Sequence, residues 1–265
     1  MGFARIAAIA LLSLLAGPHF AAAQAPASGG PVDAAAIADL VAAHHILADQ
    51  GVLDAYGHVS IRHPANPNRY LISRAMSPAN VTAADIMEFD LDSNPVDQRG
   101  RLMYLERCIH GEIYRARPDV NAIVHSHSPT VVPFSVVRGV QLKPICHMSA
   151  FLAEGVPNFE IRDGFGMTDL LIRDNRLGRA LAETLGKNNV ALMRGHGNVC
   201  VGANIMTAVY RAIYTEVNAR LQAQAMALGG EITFMDPQEC ALITGRKDLN
   251  FDRPWRMWKE RIGAK

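Results

Sequence analysis

The stretch NAIVHSHSPT, residues 121 to 130, places two histidines one residue apart after an apolar run. On a strand the side-chain period is two, so His125 and His127 project from one face, the disposition in which two imidazoles meet one cation. An H-x-H pair is weak evidence alone, because surface and core histidines are common; its neighbourhood strengthens it. Glu106 lies upstream on a segment that reads as a helix running into this strand, and His110 and Tyr114 follow it at helical spacing, so the three are expected on one face. A third histidine, His196, sits in RGHGN, where the flanking glycines permit a tight turn and close approach to a ligand. Three neutral imidazoles and a carboxylate suit a divalent metal such as zinc, manganese, iron or cobalt.

The elements that must position these residues follow from pattern. VDAAAIADLVAAHHILADQG, residues 32 to 51, predicts a helix with Asp33 as cap and Gly51 as terminator. HVSIRH and YLISR alternate as strands around the turn-rich PANPN. VTAADIMEFDLD reads as a short helical start, Thr82 capping with Asp85 three residues on, and then a strand. RLMYLERCIHGEIYRARPD is expected as a helix ending before Pro118, NAIVHSH as a strand, and TVVPFSVV as a helix. KPICHMSAF and PNFEI are expected as short strands, and DNRLGRALAETLGKN as an amphipathic helix. NVALMRGHGNVCVG reads as strand, tight turn, strand, and the segment from Asn204 to Gly230 as the longest helix. Both tryptophans lie in DRPWRMWKERIGAK, expected to dock on the body or on a neighbouring subunit. The sum is one α/β domain with a mixed sheet and helices on both faces, with no internal repeat.

With 265 residues, 49% of them hydrophobic, the chain can bury one sizeable core. A net charge of +1 without a long basic run argues against a nucleic-acid partner, and 6% aromatic content argues against a single-strand stacking platform. The first 23 residues have the three-part pattern of a signal peptide: one basic residue, an apolar run and a small-residue cleavage region. The expected cut follows Ala23, residues 24–32 form a flexible lead-in, and the domain occupies 33–265. The chain is therefore expected to be exported, to the periplasm, and free of the membrane after cleavage. Four cysteines, at 108, 146, 200 and 240, show no C-x-x-C spacing, which leaves buried thiols and an oxidised pair both open.

Glu106, then H-x-x-x-Y-x-x-R-P-D-x-N-A-x-x-H-x-H, and later GHG, resembles the class II aldolase/adducin family, over about residues 35 to 230. The resemblance implies a three-layer α/β/α sandwich around a mixed sheet, and a homotetramer with sites at subunit interfaces. It implies one divalent metal ion per chain, zinc or manganese first, held by His125, His127 and His196, with Glu106 completing the set or acting as acid/base. AYGHVSIRHP carries His58 where sugar-phosphate members have asparagine, and SRAMSPAN lacks their glycine-rich phosphate loop. These stretches resemble the branch of 3-hydroxy-2-methylpyridine-4,5-dicarboxylate decarboxylase and related dihydroxy-aromatic acid decarboxylases. The expected function is a metal-dependent lyase decarboxylating a hydroxylated aromatic or heteroaromatic carboxylate. An aldolase or epimerase on a small hydroxy-carbonyl compound and a non-catalytic adducin-like binding protein stand as alternatives. Glu106 is the first candidate for acid/base work and His58 the second; Arg74 and His147 are candidates for binding substrate. His110 is expected to back the metal site or to pack within its helix, Tyr210 and Tyr214 to pack, and His44, His45 and His63 to serve locally.

Overall fold

Among the described residues seven strands form one sheet: His58–Arg62 (β1), Arg69–Ser73 (β2), Ile86–Asp90 (β3), Ala122–Ser126 (β4), Asn158–Phe159 (β5), Val190–Met193 (β6) and Gly197–Gly202 (β7). Their spatial order is β3-β2-β1-β4-β7-β6-β5, with β5 parallel to β6 and all other neighbours antiparallel. This computed structural model describes residue 1 and residues 24–246 and 251–264. Of the expected signal peptide, residues 1–23, positions 2–23 lie outside the described residues.

Among the described residues eight α-helices flank the sheet: Ala34–Asp49 (α1), Cys108–Ala116 (α2), Val132–Val136 (α3), Arg162–Phe165 (α4), Asn175–Leu185 (α5), Ile205–Ala227 (α6), Pro237–Thr244 (α7) and Asp252–Arg261 (α8). Their starts obey capping chemistry. The Asp33 carboxylate accepts from Ala35 N–H, Asp174 from Leu177 N–H and Asn204 from Thr207 N–H, each satisfying a donor that a helix start leaves unpaired.

Alternation along the strands sorts the core into two layers. Val59, Ile61, Leu71, Ala122, Val124 and Cys200 face α1, α6 and α8, while Tyr70, Ile72, Ile123, Val199 and Val201 face α2 and α5. The architecture is an α/β/α sandwich around a mixed sheet. The C-terminal helix docks on this chain's own body: Trp255 and Trp258 are buried, Lys259 pairs with Asp39 at 3.2 Å and Arg261 with Asp49 at 2.7 Å. All four cysteines are free thiols.

Two local expectations give way. His147–Glu154 is a 3-10 helix instead of a strand, because α6 already supplies the hydrogen bonds of the segment before it: Asn218 and Gln222 side chains pair with the backbone of Gln141, Lys143 and Ile145. The Glu106 helix is regular only from Cys108. Leu105–Arg107 is a separate 3-10 turn, with Glu106 at φ −92°, ψ 17°, so Glu106 leaves the face that His110 and Tyr114 share.

Candidate metal centre

Strand β4 carries His125 near its end and passes His127 just beyond it, both on the α2 side of the sheet. Strands β6 and β7 meet in the tight turn that holds His196. Gly195 sits at φ 65° there, in the left-handed region. A Cβ on Gly197 would stand 2.1 Å from the Ser126 carbonyl oxygen, so glycine lets the two strands close at the point where the histidines converge. The kinked turn before α2 delivers Glu106 to the same point.

The result is a four-donor set. His127 Nε2 lies 3.2 Å from His125 Nε2 and 3.0 Å from His196 Nε2. Glu106 Oε2 lies 3.5 Å from His125 Nε2 and 3.3 Å from His196 Nε2, and all four ligand atoms fall within 4.8 Å of one another. Tetrahedral ligands about 2.1 Å from a zinc ion are separated by about 3.4 Å, so these edges fit one small divalent cation. The surrounding backbone supports the same reading. His125 Nδ1–H donates to the Asn198 carbonyl at 3.1 Å and His196 Nδ1–H to the Leu170 carbonyl at 3.0 Å. Each bond fixes the tautomer whose Nε2 lone pair points into the cluster.

Glu106 is held in turn. Its Oε1 accepts from Ile172 N–H at 2.8 Å, leaving Oε2 for the cluster. The segment 168–172 thus serves both Glu106 and His196, and Leu170 adopts φ 68°, an uncommon conformation for a leucine, to aim its carbonyl. Burial pulls the Glu106 carboxyl upward, but the imidazoles of His125 and His196 outweigh it and hold the group well below the usual carboxylate range. Burial, then the neighbouring His125 and His196, lowers His127 to about 4, so it offers a lone pair at neutral pH. His196 is raised: burial lowers it, and Glu106 more than compensates.

Beside the cluster lies a cavity of about 430 Å³, lined by His58, Glu106, His125 and His127 and walled by Tyr56, Met76, Tyr104 and Leu171. Among the described residues no lysine or arginine lines it. His58 pairs in register with His125 across β1 and β4, and their rings lie 5.0 Å apart. The Tyr104 ring lies 4.5 Å from that of His58. Burial, then His110 and His125, pushes His58 well below the ordinary histidine value, so its ring is neutral.

The structure brings Glu106, His125, His127, His196 and His58 together and leaves Arg74 and His147 outside. Arg74 Nε pairs with Asp85 at 2.6 Å, within the capping box that Thr82 and Asp85 form. His147 is exposed at the start of its 3-10 helix and does not line the cavity. His110 backs His58 rather than a metal ligand, with His110 Nε2 2.6 Å from His58 Nδ1. His44 and His63 are buried and serve locally: His44 Nδ1–H donates to the Leu40 carbonyl at 2.8 Å. Sequence reasoning overlooked Tyr56 and Tyr104, each two residues before a site residue, because an isolated tyrosine carries no spacing signal.

Residues 38–223 match the family model described as Class II Aldolase and Adducin N-terminal domain. Decarboxylase tropJ of Talaromyces stipitatus is 38% identical over 82% of this chain and 90% of its own length. The 3,4-dihydroxyphthalate decarboxylase of Arthrobacter keyseri is 32% identical over 89% of this chain and 95% of its own. A crystal structure of an aldolase II superfamily protein from Pseudomonas syringae shares the fold with TM-score 0.73 at 22% identity, covering 88% of this chain and 94% of that one. The chain belongs to the class II aldolase and adducin N-terminal domain family.

Proposed function

We propose that this enzyme is a divalent-metal-dependent carbon–carbon lyase that decarboxylates a hydroxylated aromatic acid. The observation that carries this reading is the convergence of Glu106, His125, His127 and His196 beside a cavity whose walls are aromatic and apolar. The two decarboxylase relatives support the reaction class. A pyridine dicarboxylate is the narrower alternative within that class. A sugar phosphate is disfavoured, because among the described residues no lysine or arginine lines the cavity to receive its phosphate. A non-catalytic binding role is disfavoured because the whole donor set is present.

His125, His127, His196 and Glu106 would hold the ion. When bound, a divalent cation supplies Lewis acidity to a substrate oxygen that gains negative charge. Where Glu106 serves as the acid/base instead of completing the metal set, it takes the proton of the substrate hydroxyl and returns it to the ring carbon bearing the carboxylate. The bond to the carboxylate carbon then breaks, carbon dioxide leaves, and the released electron pair restores the ring. Tyr56, Met76, Tyr104 and Leu171 orient the planar ring and exclude water.

Metal content by mass spectrometry, on wild type and on the His125→Ala/His127→Ala double variant, tests the site. About one equivalent per chain in wild type, lost in the variant, and carbon dioxide release from a panel of hydroxylated aromatic acids are expected. A wild type that takes up no metal on reconstitution overturns the proposal. We also place the mature enzyme outside the cytoplasm, on the N-terminal pattern, and as a homotetramer, on the exposure of Tyr56 and Leu105 at the cavity. A mature N-terminus at Gln24 and a four-chain mass by light scattering are the expected results.

A further inference from the structure

Behind the cavity wall, four side chains form an unbranched buried chain between β1 and α2. His58 Nδ1 lies 2.6 Å from His110 Nε2, His110 Nδ1 lies 2.6 Å from Ser60 Oγ, and Ser60 Oγ lies 2.8 Å from the Tyr114 hydroxyl. None of the four is more than 3% exposed. Strand alternation puts His58 and Ser60 on one face of β1, and helical spacing puts His110 and Tyr114 on one face of α2.

Donor and acceptor counting gives this chain a direction. Among the described residues the Tyr114 hydroxyl has Ser60 Oγ as its one hydrogen-bond partner. A buried phenol proton left unpaired is costly, so Tyr114 O–H donates and Ser60 Oγ accepts. The single Ser60 proton then goes to His110 Nδ1. A neutral His110 so engaged carries its proton on Nε2 and donates it to His58 Nδ1. His58, accepting at Nδ1, holds its own proton on Nε2. That nitrogen has no partner among the described residues, and the ring lines the cavity, with the Tyr104 ring 4.5 Å and the His125 ring 5.0 Å away.

We propose that the Tyr114–Ser60–His110 chain locks His58 as a fixed Nε2–H donor, which hydrogen-bonds the substrate oxygen on which charge develops next to the metal set. The proposal rests on the lyase reading for the identity of that oxygen. It assigns His58 the part of a neutral electrophile, a part imidazole can play, and makes His110, Ser60 and Tyr114 positioning residues. The proton stays on Nε2 throughout.

Long-range ¹H–¹⁵N correlation spectra of the zinc-restored protein read the tautomer without turnover. Nε2 protonated and Nδ1 bare on His58 is expected; the reverse overturns the proposal whatever the substrate proves to be. In decarboxylation of an active hydroxylated aromatic acid, His58→Leu is expected to lose about 100-fold in kcat with metal content unchanged. His58→Gln, whose amide can still donate, recovers part of that loss, and Tyr114→Phe, which frees the direction of the chain, costs several-fold in kcat with little change in KM. 4-Nitrocatechol, titrated optically as an unreactive chelating probe, binds more weakly to His58→Leu than to wild type. His58→Gln no better than His58→Leu, or His58→Leu as active as wild type, overturns the donor role. Absence of bound metal or of any turnover defeats the lyase reading instead, and leaves the tautomer measurement to decide this one.

Discussion

Replacing Gly197 by alanine isolates what the close approach of β4 and β7 does for the metal set. The added methyl would stand 2.1 Å from the Ser126 carbonyl oxygen and 3.2 Å from the His127 Cα. A carbon–oxygen contact settles at about 3.3 Å, so the strands must part by about 1.2 Å at this point. That displacement falls between His196 on one strand turn and His125 and His127 on the other, whereas ligand distances are held to about 0.2 Å. We expect Gly197→Ala to weaken metal binding by about 10- to 100-fold, and to destabilise the fold by about 1–3 kcal/mol through overpacking. Competition with a chelator measures the first quantity and urea unfolding the second. Gly202→Ala is the control, because its methyl would meet the Ala208 N–H nitrogen at 2.6 Å, at the far end of β7 from His196. It should cost stability and leave affinity intact. Wild-type affinity in Gly197→Ala, or an equal loss in Gly202→Ala, would refute the reasoning.

Other perturbations test separate parts of the structure. His44 is fully buried, and burial first, then His45, lowers it to about 4 against a reference of 6.5. The unfolded chain therefore binds the extra proton between those values, and stability present above 6.5 is lost as the pH falls toward 4, by about 3 kcal/mol from this residue. Urea unfolding at neutral and acid pH should show a smaller loss for His44→Asn than for wild type, and equal losses would discount the effect. Arg74→Gln removes a partly exposed ion pair with Asp85, so it should cost less than about 1 kcal/mol and leave KM unchanged; a large rise in KM would return Arg74 to the substrate site. Trp258→Ala should destabilise by about 3–5 kcal/mol, since the ring is buried against Tyr214 and the α1–α6 face. A melting temperature equal to wild type would place α8 off the body.

Much of this protein was legible in its sequence, for identifiable physical reasons. The period-two spacing of His125 and His127 fixed their common face before any tertiary contact was known, and the glycines around His196 announced a tight approach. Caps at Asp33 and Thr82, the closing glycines after the longest helix, and alternation in HVSIRH and YLISR located the main elements, because these signals act over a few residues. Only the tertiary structure decided the rest. Asp85 sits eleven residues from Arg74 and claims its guanidinium, a pairing no periodicity reports. The kink at Glu106 removes it from the helical face of His110 and lets Ile172, 66 residues away, hold its carboxylate. The orientation of His58 is set by Ser60, His110 and Tyr114 acting across two elements. Local spacing thus determines which face a side chain takes. Its partners, and hence its tautomer and charge, depend on groups distant in sequence that meet only when the sheet and α2 pack together.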